Sequence, residues 1–260
     1  MRLRPLLDAL LRFLPRGPWD LIRQVALFYA TYYAYSVVRG FADDHGAAQV
    51  AFDNARAVMS IEQTLNIFVE RSIQAWAASS SLIIDTASWI YVNAQTSVTL
   101  GALVFIYLFR NQSFYFVRNM MMTAMGLALI GYILFPTAPP RFFPEWGFFD
   151  SVASSLDVDT NSEMVDALFN PYAAIQSMHV AFALMIGWSL ARLVRTRILR
   201  IWWWAYPFLV TFVIVATANH FFMDAFLGAC VAGLAALAAR ELGRLRPTAW
   251  RFAHEPAVSS

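Results

Sequence analysis

Six long apolar runs constrain the fold of this chain more than any other feature. They cover residues 21–38, 81–109, 115–135, 178–193, 201–218 and 221–239. A helix crosses a bilayer core about 30 Å thick with roughly 20 apolar residues. Only 14% of the 260 residues are charged, against about 25% in soluble domains. We therefore predict an all-α, polytopic membrane protein with six transmembrane helices.

The arginines assign a side of the membrane to each loop. All 19 basic residues are arginines, and 15 of them lie before the first run, between the second and third, between the fourth and fifth, after the last, or at the ends of the runs that adjoin these segments. The other loops hold most of the acidic residues. Because positively charged loops stay in the cytoplasm, we expect a multi-pass protein of a bacterial plasma membrane. It has a cytoplasmic segment at 1–20, a membrane domain at 21–240 and a cytoplasmic tail at 241–260.

Two long loops face outward in this topology. In the first, about 40–80, apolar side chains recur at roughly helical spacing, which predicts an amphipathic helix on the outer leaflet. These side chains are Ile61, Leu65, Phe68, Val69, Ile73 and Trp76, with Glu62, Glu70 and Arg71 between them. The second loop, 136–177, is rich in proline and aromatic residues. Since proline interrupts helices, we expect no continuous helix there and predict that its aromatic residues pack on or dip into the membrane surface.

Few ionisable residues lie within the apolar runs, and three of them share one side. His179 opens the fourth run, and His220 and Asp224 lie at the start of the sixth. An ionisable group at membrane depth costs about 2.5–3.5 kcal/mol on insertion scales, so it is a functional candidate by default. All three residues are predicted at the outer ends of their helices.

These residue types suit phosphoryl transfer. His220 and Asp224 are four apart, so on a helix they share one face, and the carboxylate would fix the imidazole tautomer that a nucleophile needs. His179 on a neighbouring helix can protonate a leaving oxygen. Two helix N-termini would aim free N–H groups at the phosphate, and Arg141 at the outer end of the third span can clamp it.

Other interpretations of the same residues stay open. Each histidine alone can be a packed residue, and Arg141 alone can be an anchor at the membrane interface. Two histidines and an aspartate can ligate a metal, but with no second acidic ligand in the spans we expect neither a metal nor another cofactor. A proton-coupled transporter or translocase is a further alternative, although transporter sites usually lie at the bilayer midplane between internal repeats.

The order of these motifs resembles the type 2 phosphatidic acid phosphatase superfamily of six-span membrane enzymes. The strings from Phe135 to Arg141 (FPTAPPR) and from Thr217 to Ala225 (TANHFFMDA) resemble its inositol phosphorylceramide synthase-like branch, which moves phosphoinositol head groups between lipids. The resemblance covers about residues 81–239.

The resemblance implies a role for each residue of the motifs. His220 would form a phosphohistidine, Asp224 would orient it, and His179 would be the general acid. Arg141 and Ser177 would bind the phosphate, and Asn219 and Thr137 are further candidates for substrate contact.

The chain departs from the general pattern of the superfamily at three places. Leu134 stands where a lysine is usual, and Val213-Ile214 replaces a Ser-Arg pair. Gln176-Ser177-Met178-His179 stands for the usual Pro-Ser-Gly-His. Two cationic phosphate contacts are therefore lost, which fits the synthase-like branch and also leaves a catalytically inactive scaffold as an alternative.

We therefore expect a lipid phosphotransferase or phosphatase at the outer leaflet. Its partners would be a phospholipid or polyprenyl phosphate and a polyol or lipid alcohol acceptor, with no nucleic acid. A plain phosphatidic acid or polyprenyl phosphate phosphatase is the alternative. Acidic residues of the second outer loop are candidates for binding a polyol such as inositol, although a solvated loop surface is the simpler explanation. They are Asp150, Asp157, Asp159, Glu163 and Asp166.

Overall fold

The described residues form an all-helical protein. A computed structural model describes residues 14–41, 45–156 and 175–245. Within them the α-helices are α1 (Gly17–Phe41), α2 (His45–Thr64), α3 (Glu70–Ala78), α4 (Ser81–Phe109), α5 (Asn111–Leu134), α6 (Ser151–Leu156), α7 (Met178–Leu193), α8 (Arg197–Ala216) and α9 (Phe222–Leu245). Two short 3₁₀ helices, Pro140–Phe142 and Pro144–Trp146, lie between α5 and α6. The predicted all-α class is confirmed.

Four helices are long and apolar enough to cross a membrane. Among the described residues these are α4, α5, α8 and α9, while α7 is apolar but has only 16 residues. The membrane assignment is therefore supported, and six spans remain a prediction that depends on α1 and α7. The predicted bounds of α4 and α7 agree with the structure. The last helix extends to Leu245, six residues past its apolar run, because helical hydrogen bonding continues through the polar end of the run.

Helix α1 lies along α5, and both run in the same direction. At one end the carboxylate of Asp20 accepts hydrogen bonds from the hydroxyl groups of Tyr107 (3.0 Å) and Tyr115 (2.9 Å). At the other end, 15 residues farther along α1, the hydroxyl groups of Tyr35 and Tyr132 are 3.3 Å apart. At 1.5 Å per residue these contacts are roughly 22 Å apart. This alignment favours α1 as a further span.

Helix α7 is central to the bundle and packs against α4, α5, α8 and α9. Its contact with α8 is close because Gly187 carries no side chain. A Cβ atom there would lie 2.6 Å from the carbonyl oxygen of Trp203, closer than real Cβ contacts come. Since α7 begins at Met178 and α9 at Phe222, this packing brings the candidate residues at their N-terminal ends to the same end of the bundle.

The first outer loop differs from the prediction of a single amphipathic helix. Helix α2 ends at Thr64, Asn66 adopts a left-handed backbone with φ 57°, and α3 begins at Glu70. Glu62 and Glu70, expected on the polar face, are fully buried. The segment therefore forms a two-helix layer, α2 and α3. One side of the layer packs on the rest of the protein, and apolar side chains such as Ile61, Leu65 and Trp76 are exposed on the layer.

The second outer loop has the predicted break in helical structure, and two of its aromatic residues pack on the protein. Phe143 and Phe148 are buried in a cluster with Ala55 and Met59 of α2, whereas Trp146 and Phe149 are exposed, so contact of this loop with the membrane surface stays a prediction. Side-chain amides of the outer layer hold this loop, with Asn54 donating to the carbonyl of Pro136 at 2.8 Å. Four of the five acids proposed to bind a polyol lie outside the described residues, namely Asp157, Asp159, Glu163 and Asp166.

Candidate active site

The turn between α8 and α9 carries the second histidine. After α8 ends, Ala218 adopts a left-handed backbone with φ 51°, which is uncommon for a residue other than glycine. The backbone N–H groups of Asn219 and His220 then both donate to the carbonyl of Ile214, at 3.1 and 3.2 Å. Ala218 is fully buried, and such strained residues persist only where the surrounding structure holds them. This turn fixes the position of His220.

His220 and Asp224 meet, but not as neighbours on one helix face. Helix α9 begins at Phe222, so His220 lies in the turn before it. The Nδ1 atom of His220 is 3.5 Å from Oδ2 of Asp224, and the same Oδ2 accepts the N–H of Phe221 at 2.9 Å. The predicted contact between the two side chains is confirmed, but the predicted reason for it, a shared helix face, is wrong. Asp224 contacts His220 because its carboxylate reaches back to the turn that precedes the helix. The geometry leaves Nε2 of His220 facing away from the carboxylate.

The two histidines lie side by side. The ring centroids of His179 and His220 are 5.6 Å apart, and the rings meet edge to face. His179 also stacks on Tyr91 of α4, with 4.6 Å between centroids and 20° between planes. Tyr91 was not among the predicted site residues, because nothing in its local sequence distinguishes it from other aromatic residues of the span. A mostly apolar cleft begins beside His179 and is lined by Tyr91, Gln95, Thr99, Phe182, Tyr206 and Val210, among others.

Arg141 is fixed to the turn that carries His220. Its backbone N–H donates to the carbonyl of Ala218 at 2.9 Å, and its Nη1 donates to Oδ1 of Asn219. Its Nε lies 3.4 Å from Oδ2 of Asp150, and its guanidinium group lies over the Phe142 ring at 4.9 Å from the centroid. Asp150, proposed as a polyol ligand, is therefore engaged by Arg141.

Three other predicted residues form hydrogen bonds within the protein. Asn219 is buried, and its amide nitrogen donates to the carbonyl and hydroxyl oxygens of Thr217 at 3.1 and 3.0 Å, which turns its oxygen towards Arg141. Thr137 is buried and donates to the carbonyl of Phe135 at 3.1 Å. Ser177 is buried as the N-cap of α7, and its hydroxyl accepts the N–H of Val180 at 3.4 Å. All three side chains are therefore buried and hydrogen-bonded within the protein, and their contacts with a substrate stay a prediction.

The Ser177 backbone also joins α7 to α9. Its N–H donates to the carbonyl of Asp224 at 2.9 Å, and its carbonyl oxygen lies so close to Gly228 that a Cβ atom there would overlap it. Asp224 and Gly228 are one helical turn apart, so they hold the backbone of Ser177 between them. The position of His179, two residues later, depends on this close approach.

We expect Gly228→Ala to destabilise the protein by about 1–2 kcal/mol. Overpacking costs about 1–3 kcal/mol, and a Cβ atom only 2.4 Å from the Ser177 carbonyl oxygen places this site in the upper half of that range, above the roughly 1 kcal/mol that alanine gains over glycine inside a helix. Thermal unfolding in detergent measures the effect. Gly233→Ala in the same helix is the control, because no atom lies within 4 Å of its Cβ position. An unchanged midpoint in Gly228→Ala would contradict the close approach.

The N-terminus of α9 is occupied by carboxylates, which the sequence analysis did not foresee. The N–H of Phe222 donates to Oε1 of Glu70 at 2.8 Å, and the N–H of Met223 donates to Oε1 of Glu62 at 2.7 Å. With Phe221 bonded to Asp224, these N–H groups are not free for a phosphate. The expectation that two helix N-termini bind the phosphate is therefore wrong for α9.

Arg118 does not replace the missing Lys and Ser-Arg contacts, because it lies at the other end of the bundle. Arg118 is buried and bonded to Asn119 and Gln24, at the end of α5 that Asp20 also contacts. Arg141 is the arginine that the described residues bring to the His220 turn. Among the same residues, no three His, Cys, Asp or Glu side chains are grouped as a metal site requires.

Comparison with known proteins bears on the whole membrane domain. The model of the PAP2 superfamily, the type 2 phosphatidic acid phosphatases, matches residues 56–238, which include every candidate residue described above. No curated protein and no solved structure matches the chain. A match over well more than half of the sequence assigns the family, and its members are phosphatases or phosphotransferases. The chain belongs to the PAP2 superfamily.

Proposed function

We propose that the protein is a lipid phosphotransferase that works through a phosphohistidine and most resembles an inositol phosphoryl head-group transferase. The observation that carries this proposal is the side-by-side placement of His179 and His220, 5.6 Å apart, with Asp224 behind His220. Family membership supports action on a lipid phosphoester. The transferase activity and its acceptor go beyond what the family implies.

In the first step, Nε2 of His220 attacks the phosphorus of the lipid phosphoester. Asp224, on the Nδ1 side, stabilises the imidazole as it becomes positively charged. The bond between phosphorus and the lipid oxygen breaks, and His179 gives its proton to that departing alkoxide. Arg141, held by Asn219 and Asp150, offers its remaining donors to the phosphoryl oxygens.

In the second step, an alcohol takes the phosphoryl group from His220. The now neutral His179 accepts the proton of the incoming hydroxyl, whose oxygen bonds to phosphorus. The P–N bond breaks and its electrons return to His220. If water replaces the alcohol, the same step gives hydrolysis, so one site serves either outcome and the acceptor decides between them.

The apolar side chains around His179 favour a lipid alcohol as the leaving group, and the cavity that they enclose, about 10 Å³, has room for one water molecule. Its lining includes Ile90, Phe182, Tyr206 and Val210, and it lies between α4, α7 and α8. His179 lies on this side of His220, so the oxygen that it protonates belongs to the more apolar part of the substrate. In a head-group transferase that part is the diacylglycerol, and the phosphorylated polyol stays on His220.

We propose that this site faces the outer leaflet. The ends of α4, α5, α7, α8 and α9 that are remote from the site carry arginines, namely Arg110, Arg192, Arg195, Arg197, Arg200, Arg240 and Arg244. By the positive-inside rule those ends are cytoplasmic. The substrates would therefore be lipids of the outer leaflet.

A substrate panel tests the function. Purified protein in nanodiscs is given phosphatidylinositol with a lipid alcohol, and separately phosphatidic acid with water alone. We expect a new phosphoinositol lipid and released diacylglycerol from the first mixture, with slower phosphate release from the second. Mass spectrometry identifies the products. If neither mixture reacts faster than with the His220→Ala variant, the proposed function is wrong, and phosphate release alone would indicate a phosphatase.

A further inference from the structure

Two buried glutamates meet at the start of the helix that carries Asp224. Glu62 lies near the end of α2 and Glu70 is the first residue of α3, and both are 0% exposed. They are 161 and 152 residues from their hydrogen-bond partners in α9. Burying two acids costs several kcal/mol unless they are paired or bonded, so a role for this arrangement is expected.

Each glutamate holds one backbone N–H of the first turn of α9. The bonds from Phe222 to Glu70 and from Met223 to Glu62 are 2.8 and 2.7 Å long. Short hydrogen bonds from N–H groups to carboxylates at a helix start are strong, since the helix dipole adds to them. Together they attach the two-helix outer layer to the residues that follow His220.

The charged groups around the pair are acidic. Glu62 on α2 faces Glu70 on α3 and Asp224 on α9, and Asp224 contacts His220 in the turn. Among the described residues, neither glutamate forms an ion pair with an arginine. The arginines of the outer layer are placed elsewhere, since Arg56 pairs with Asp53 and the side chain of Arg71 lies against Gly147. Three carboxylates would therefore repel one another if all were ionised.

One proton relieves this repulsion. As carboxylates, the Oε2 atoms of Glu62 and Glu70 are both buried and lack a donor. A proton on Glu62 supplies that donor and bonds it to Glu70. Burial first, then the hydrogen bond and the charge of Glu70, raise the pKa of Glu62 from 4.5 to about 9. The pair is thus an acid and a carboxylate at neutral pH.

We propose that Glu62 and Glu70, sharing one proton, are positioning residues for His220 and Asp224. They hold the first turn of α9 in place and limit the negative charge beside Asp224. This inference rests on the proposed function for its effect on the reaction. Neither glutamate touches the reacting atoms, and both act through the Phe222 and Met223 amides and through Asp224.

The charge state matters because of the position of Asp224. Its Oδ1 atom is buried without a hydrogen-bond partner, while its Oδ2 atom serves both Phe221 and His220. A second ionised glutamate would push this carboxylate away from its place by electrostatic repulsion. Loss of the shared proton is therefore expected to weaken the His220–Asp224 contact before it unfolds the protein.

Glu62→Gln and Glu62→Ala distinguish positioning from simple packing. Glutamine keeps an acceptor for Met223 and a donor for Glu70 but cannot ionise, whereas alanine removes both. We expect kcat of the unmodified protein to fall as pH rises through about 9, and kcat of Glu62→Gln to match it at pH 7 and to lack this fall. Glu62→Ala should lower kcat about 10- to 100-fold with KM little changed, because the nucleophile is misplaced.

Two further measurements do not need activity. An infrared carbonyl band of a protonated carboxylic acid is expected at pH 7, and Glu62→Gln should remove it. Since the folded-state pKa of Glu62 is raised, its contribution to stability is complete below pH 4.5 and is lost as pH rises towards about 9. The thermal midpoint of Glu62→Gln should therefore vary less over that range. Glu145→Gln, which changes an exposed acid of the second outer loop, is the matched control.

The outcomes separate this inference from the proposed function. If the unmodified protein converts none of the lipids but shows the infrared band, the proposed function fails and the shared proton stands. An absent band overturns the shared proton whatever the activity. If the band is present and both Glu62 variants keep the kcat and pH profile of the unmodified protein, the positioning role is overturned.

Discussion

Replacing His220 with alanine is expected to lower lipid phosphoryl transfer at least about 10³-fold, since a missing nucleophile removes the covalent route altogether. Incubation with a ³²P-labelled lipid donor and denaturation at alkaline pH should trap phosphoprotein in the unmodified enzyme, because phosphohistidine is labile in acid and stable in base. The His220→Ala variant should hold none. Asp224→Asn should keep a weaker signal, because the orienting charge is lost while the nucleophile stays.

His179→Ala tests the acid separately. Without a proton donor, a lipid alkoxide leaves slowly, but an aryl phosphate leaves without help because its oxygen is a weak base. We expect His179→Ala to lose most of its activity on a lipid and to keep much of its phosphoenzyme formation on an aryl phosphate. His254→Ala, in the predicted cytoplasmic tail, is the control. Equal losses on both substrates would argue against His179 as the acid.

Replacing Arg141 with lysine is expected to lower kcat about 10²- to 10³-fold, comparable to the loss of a donor to a developing charge. Lysine keeps the charge but not the planar fork of donors. In this protein the guanidinium group has a structural function as well, because its Nη1 bonds Asn219 and its Nε lies near Asp150. The backbone N–H of residue 141, which donates to the Ala218 carbonyl, is the same in both proteins. Steady-state rates on phosphatidylinositol measure the effect.

The neighbours of Arg141 should give smaller effects in a definite order. Asn219→Ala removes the hydrogen bond that joins the guanidinium group to the turn, so we expect kcat to fall about 10-fold. Asp150→Asn should lower kcat less, because the distance between Asp150 and Arg141 is longer, at 3.4 Å. Arg56→Ala is the control. Among the ion pairs of the described residues, this exposed arginine takes part in one, with Asp53 at 2.8 Å. An Arg141→Lys enzyme of normal activity would exclude the phosphate clamp.

The sequence predicted the catalytic candidates because their pattern is local. His220 and Asp224 are four residues apart, and a short turn brings them together even though α9 begins only at Phe222. The bounds of α4 and α7 were also predicted, since each helix coincides with one predominantly apolar run. Membrane class, arginine asymmetry and motif order all follow from composition along the chain, where each span inserts largely by its own hydrophobicity.

Other features depend on contacts between distant segments and were missed or misassigned. Glu62 and Glu70 belong to a polar pattern that local reasoning assigned to solvent, and only the packing of α2 and α3 on α9 turned both inward. The hydrogen bond from Arg141 to the amide of Asn219 joins residues 78 apart in the sequence, and no local pattern indicated it.

The sequence by itself therefore determined the helical membrane class and indicated the candidate residues of the site, because hydrophobic insertion and a spacing of four residues act over short stretches of the chain. The tertiary structure decided which groups surround those residues: Tyr91 against His179, Asp150 and Asn219 against Arg141, and two glutamates at the start of α9. These contacts join segments up to 161 residues apart. No local pattern specifies them, since the free energy that selects them arises only when the helices pack.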